Sequence, residues 1–128
     1  MNETDFPIFS NATGIFVIEV KSHKGKITFD GQNLLINNNH FEKNILKQVM
    51  GEALDLHKFI LEKTNKDYFV TPVLVFSNSH AYMKFGLQPI KKAFVIQKAY
   101  LKKVLLGTKT TLSKEDITNL KNILLSLN

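Results

Sequence analysis

The 128-residue sequence predicts an α/β fold, a mixed β-sheet with helices packed against it. Three observations predict it. The run Ile15-Phe16-Val17-Ile18-Glu19-Val20 is rich in β-branched residues and almost wholly apolar, as a buried central strand should be. Apolar residues then recur at helical spacing over 41–63. Short apolar runs and two further helical stretches follow, so strands and helices share one chain.

Residues 6–10 form a short strand and residues 11–14 the turn after it. Gly14 opens the central strand, which runs to Lys21. Segments 26–29 and 33–36 flank Asp30-Gly31, a hairpin turn signal. The polar stretch 37–39 breaks the pattern, and Asn39 followed by Glu42 resembles a helix-start box. The long helix 41–63 carries Ile45, Leu46, Val49, Met50, Ala53, Leu56, Ile60 and Leu61. Residues 69–76 and 93–96 read as strands, and 98–106 as a helix stopped by Gly107. Ser113 and Asp116 start a last helix with Ile117, Leu120, Ile123, Leu124 and Leu127.

One domain over 1–128 is expected, since a domain usually takes roughly 100–200 residues. Hydrophobic residues make up 44% of the chain, which excludes a disordered class. There is no cysteine, so disulfides and thiolate metal sites are excluded. The longest apolar stretches, 15–18 and 72–76, fall far short of the ~20 residues that span a bilayer. The start Met-Asn-Glu-Thr-Asp lacks the basic and apolar regions of a signal peptide. A cytoplasmic protein with no membrane partner is expected.

Net charge is +6 and unevenly spread. Residues 1–67 carry eight Lys and nine acids, whereas 68–128 carry nine Lys and two acids. A one-sided basic half suits a polyanionic partner, although a solvated Lys-rich face accounts for it equally well.

Glu19 interrupts the most apolar strand of the chain. Ile18 and Val20 point to one side of it, Glu19 and Lys21 to the other. Charges in such a setting are costly unless paired or bound to a metal. An edge strand with a solvated Glu-x-Lys face is the plainer alternative. Asp5 begins the preceding strand and lands near Glu19 if the two strands pair antiparallel. Two carboxylates suit Mg²⁺, a hard ion that favours oxygen ligands and keeps several waters. A lysine beside them can hold the attacking water or stabilise charge building at phosphorus.

The stretch Gly14-Ile-Phe-Val-Ile-Glu19-Val-Lys21-Ser-His-Lys-Gly25-Lys-Ile resembles the signature of the nuclease-related domain (NERD) family, part of the PD-(D/E)xK restriction-endonuclease-like superfamily. Asp5 one strand earlier, Gln48 in Asn44-Ile-Leu-Lys-Gln48-Val-Met-Gly-Glu52-Ala, and Val73-Leu-Val-Phe76 extend the resemblance over about 5–106. It implies a restriction-endonuclease-like mixed sheet flanked by helices, with the family's helix before Asp5 expected to be missing. It implies an endodeoxyribonuclease dependent on Mg²⁺, or on Mn²⁺ in its place, with Asp5 and Glu19 as metal ligands. Asp5, Glu19, Lys21 and Gln48 are then the catalytic set, and Gln48 reaches back toward the Glu-x-Lys strand. Glu52 reads as a helix-surface charge.

His23, His40, His57 and His80 are scattered without metal-ligand spacing and read as surface residues. No Ser-His-Asp pattern and no phosphate loop occurs. Lys24 and Lys26 are candidates for phosphates beside the cut, and Lys91, Lys92, Lys98, Lys102 and Lys103 for a wider footprint. Such contacts position a duplex without reading its sequence. Phe85, Phe94 and Tyr100 read as core, which leaves no stacking platform for single strands. The expected partner is nucleic acid, DNA foremost, with a neighbouring domain or a second copy alongside. Two rival readings fit the same residues: a nucleic-acid-binding module whose nuclease site is incomplete, and a protein-interaction domain.

Overall fold

The computed structural model describes residues 8–107 and 111–125. The chain runs β1 (Ile8–Asn11), β2 (Gly14–Lys21), β3 (Gly25–Phe29), β4 (Leu34–Ile36), β5 (Asn39–His40), α1 (Ile45–Thr64), β6 (Val70–Phe76), β7 (Ala81–Met83), β8 (Phe94–Gln97), α2 (Leu101–Leu106) and α3 (Lys114–Leu125). The strands form two four-stranded sheets rather than one, ordered β1-β2-β6-β8 and β5-β4-β3-β7. Both are mixed and flanked by helices, as a restriction-endonuclease-like fold requires.

In the first sheet β1 is antiparallel to β2, while β2, β6 and β8 are parallel. Ile15, Phe16, Val17 and Ile18 of β2 are all buried. Alternate residues serve different cores because side chains alternate across a strand. Ile15 and Val17 join Val49, Leu56 and Ile60 of α1, and Phe16 and Ile18 join Val104 and Leu105 of α2. Each such side chain contributes roughly 1.5–3 kcal/mol by leaving water.

The second sheet continues the first. At the carboxyl ends of β2 and β6, the Ser77 N–H donates to the Lys21 carbonyl at 2.9 Å, and the Gly25 N–H to the His80 carbonyl at 2.9 Å. Parallel pairing then resumes as β3 with β7, with Gly25 opposite Ala81. Gly25 is needed at this bend: its φ is +126°, and a Cβ there would lie 2.5 Å from the Asn37 amide nitrogen.

Three local expectations change. Helix α1 starts at Ile45 rather than 41. Its cap is Asn44, whose side chain accepts from the Lys47 N–H at 3.0 Å. Asn39 and His40 pair with β4 instead, because Asn37 and Asn38 adopt φ of +50° and +67° and reverse the chain. The expected helix 98–106 opens with a 3₁₀ turn, Lys98–Tyr100, before α2. Tyr100 is 48% exposed rather than core, whereas Phe85 and Phe94 pack against the two cores. The Ser113–Asp116 box starts α3 as expected. The Asp116 N–H donates to the Ser113 hydroxyl at 3.0 Å, and the Ser113 N–H to the Asp116 carboxylate at 3.2 Å. Leu127 lies outside the described residues.

Asp116 also accepts from the Tyr68 hydroxyl and from Lys66. The Tyr68 hydrogen bond, followed by those of Ser113, holds its carboxyl well below the usual carboxylate range. The folded state therefore favours the ionised form. This stabilisation is present above about pH 4, where an unfolded Asp ionises, and is lost as pH falls below it. Asp116→Asn should lower Tm at pH 7, and the gap from wild type should narrow between pH 4 and pH 2.

Leu56, fully buried, should cost about 2–5 kcal/mol when truncated to Ala, whereas Leu54→Ala, at a half-exposed position of the same helix, should cost under about 1 kcal/mol. Urea unfolding of the two variants measures both.

Candidate functional site

Continuing along the α1-facing side of β2, the residues after Ile15 and Val17 are Glu19 and Lys21. Burial falls from complete at Ile15 and Val17 to partial at Glu19 and Lys21, so the two charges stand where the core ends. Glu19 is in register with Leu74 of β6, and Lys21 with Phe76. They lie at the carboxyl end of a parallel strand pair, where open α/β sheets place ligands.

Helix α1 brings its first turns to this end. Its buried stripe, Ile45, Val49, Ala53, Leu56 and Ile60, rests on the sheet and leaves Gln48 on one flank. The Lys21 ammonium donates to the Gln48 amide oxygen at 3.4 Å, across 27 residues of sequence. A bond this long contributes little to stability. Its significance is placement, because it sets a neutral acceptor against the lysine that neighbours Glu19. Gln48 thus reaches back to the β2 strand as the resemblance implied.

Glu52, one helical turn beyond Gln48, is half-buried, and one of its carboxylate oxygens is screened from solvent. This corrects its reading as a helix-surface charge. The signal lay in the spacing: three residues after Val49 and four before Leu56 is the margin of the buried stripe.

Asp5 lies outside the described residues. The antiparallel pairing of β1 with β2 is described from Ile8 opposite Val17 onward and does not reach Asp5. Among the described residues no group of three or more His, Asp or Glu side chains stands ready for a metal ion. The histidines are dispersed. His23 sits edge-on to Phe41 at 5.0 Å between ring centres, and His57 pairs with Asp67.

All seven predicted phosphate-contacting lysines, Lys103 included, are exposed, but they do not share one surface. Lys24 and Lys26 follow the β2 bend, while Lys91 and Lys92 form the turn before β8. Lys98 and Lys102 belong to the 3₁₀–α2 segment, across the sheet from α1. No helix among the described residues is long and apolar enough to cross a membrane.

Because Glu19 and Lys21 stand at the margin of the core, Glu19→Gln and Lys21→Ala should each change unfolding free energy by less than about 1 kcal/mol in urea titrations.

The family model of the nuclease-related domain matches residues 1–77, which include Glu19, Lys21, Gln48, Glu52 and all of β6. No curated protein and no solved structure matches the chain.

Proposed function

Since the chain belongs to the nuclease-related domain family, we propose that it is a Mg²⁺-dependent nuclease that hydrolyses phosphodiester bonds of DNA. The observation that carries this reading is the Lys21–Gln48 contact beside Glu19, at the carboxyl end of β2. Mg²⁺ needs only one or two protein carboxylates, with waters and substrate phosphate completing its shell. Glu19 is the described carboxylate that fits, and Asp5 is the second one in this proposal. When bound, the ion would supply charge neutralisation at the scissile phosphate.

The chain's own groups would do the rest. Gln48 holds the Lys21 ammonium in place. Lys21 donates to the attacking water or to the phosphate oxygen on which negative charge grows. The water oxygen bonds to phosphorus and releases a proton to solvent, the bond from phosphorus to the leaving sugar oxygen breaks, and that oxygen takes a proton from solvent. Lys24 and Lys26 hold phosphates beside the cut, whereas Lys91 and Lys92, and Lys98 and Lys102 across the sheet from α1, lie apart from this footprint.

A second reading is a nucleic-acid-binding module without catalysis, in which the same fold and its exposed lysines grip nucleic acid without cutting it. Cleavage of duplex DNA separates the two. Under the first reading Glu19→Ala and Lys21→Ala lose at least about 100-fold in Mg²⁺-dependent rate. Gln48→Ala loses about tenfold, as supporting groups do. EDTA abolishes cleavage, and added Mn²⁺ restores it. Equal cleavage by wild type and all three variants sinks the proposal. Salt-sensitive binding without cleavage selects the second reading.

A further inference from the structure

The other flank of α1 borders a cavity of about 980 Å³ that the proposed reaction does not use. Its origin is a gap in the first sheet. Strand β8 begins only opposite Val73, so among the described residues positions 70–72 of β6 have no strand neighbour on that side. Pro72 has no N–H to offer there, which suits an open edge. The apolar part of the lining comes from Met50 and Leu54 of α1, Val70 and Pro72 of β6, and Phe69, which is 61% exposed.

This cavity also carries charge. Lys91 and Lys92 line it, and so do the paired His57 and Asp67. Both lysines have positive φ, +49° and +72°, in the two-residue turn closed by Ile90 and Ala93. Such turns favour Asn and Gly, so lysine is a strained choice there. Lys91 already donates to the Gln32 carbonyl at 3.0 Å and lies over the Phe29 ring. An ammonium has three donors, so that bond leaves others for a ligand. Gln32 and Asn33, both amide residues, line the same cavity.

An exposed ring on an apolar wall, an amide and two lysines match a base joined to phosphate. A fatty acid would use the wall and the cations but not the amide, and an acidic peptide would leave the ring without a planar partner. We propose that this cavity takes one unpaired nucleotide of a nucleic-acid strand, the base against Phe69 and a phosphate on Lys91 and Lys92. The choice of nucleic acid rests on the nuclease reading above, while the strand form rests on the cavity. It departs from the expectation that no stacking platform exists, a reading that placed Phe69 in an apolar strand.

Fluorescence anisotropy with a 12-nucleotide single strand and a duplex of the same sequence, in EDTA, tests it on the full chain. The single strand should bind more tightly than the duplex. Phe69→Ala should weaken single-strand binding about tenfold without changing its salt slope. The Lys91→Ala/Lys92→Ala double variant should lower that slope by about 1. Circular dichroism should show both variants folded. Equal or tighter duplex binding, no effect of Phe69→Ala, or equal competition by polyglutamate each overturns the proposal. Cleavage by Lys21→Ala, measured separately with Mg²⁺, reports on the nuclease reading, so one can fail while the other stands.

Discussion

A strand buried on both faces must be apolar at every position, and β2 meets that demand from Ile15 to Ile18. The rest of the molecule is arranged to satisfy it. Helix α1 covers Ile15 and Val17, α2 covers Phe16 and Ile18, and β6 lies alongside in parallel register. Parallel pairing requires a crossover, and the long excursion through β3, β4, β5 and α1 provides it. Where α2 is too short to cover the strand further, Val20 is 54% exposed. On the other side burial of β2 becomes partial, and Glu19 and Lys21 take over from aliphatic residues. The candidate site is thus the rim of a core.

The bend after Lys21 and Phe76 gives this rim its shape. Two backbone hydrogen bonds carry the β2–β6 pair into β3 and β7, so the second sheet grows from the end of the first. The β3–β4 hairpin then returns the chain to Asn44, which caps α1 and starts it beside Lys21. One helix consequently serves two places. One flank carries Gln48 and Glu52, and the opposite flank walls the cavity with Met50 and Leu54.

The carboxyl-terminal elements secure the opposite side of the fold. The turn between β1 and β2 is tied to the end of α2, because Asn11 and Thr13 both donate to the Leu105 carbonyl. Helix α3 buries Leu120 and is anchored through Asp116 to Tyr68, just before β6. The basic half of the chain is divided by the same architecture. Its lysines lie on both faces of the first sheet, so the sequence-level asymmetry of charge does not become one basic surface.

The periodicities that name an element were legible in the residues. The apolar run of β2, the helical stripe of α1 and the box at Ser113 and Asp116 are local, and local chemistry decides them. So was the pair Glu19 and Lys21, because two charges have no packing use in a strand of that character. Gln48 was legible only through resemblance, since nothing local distinguishes it from a solvated glutamine. Strand β7 and the two-residue β5 were not legible, because such short strands exist only through their partners. Tertiary structure alone decided that there are two sheets, that Glu52 lies at a buried margin, and that β8 starts late enough to leave Phe69 beside a cavity. Each of these depends on where chain ends and bends meet in space, and no residue carries that information by itself.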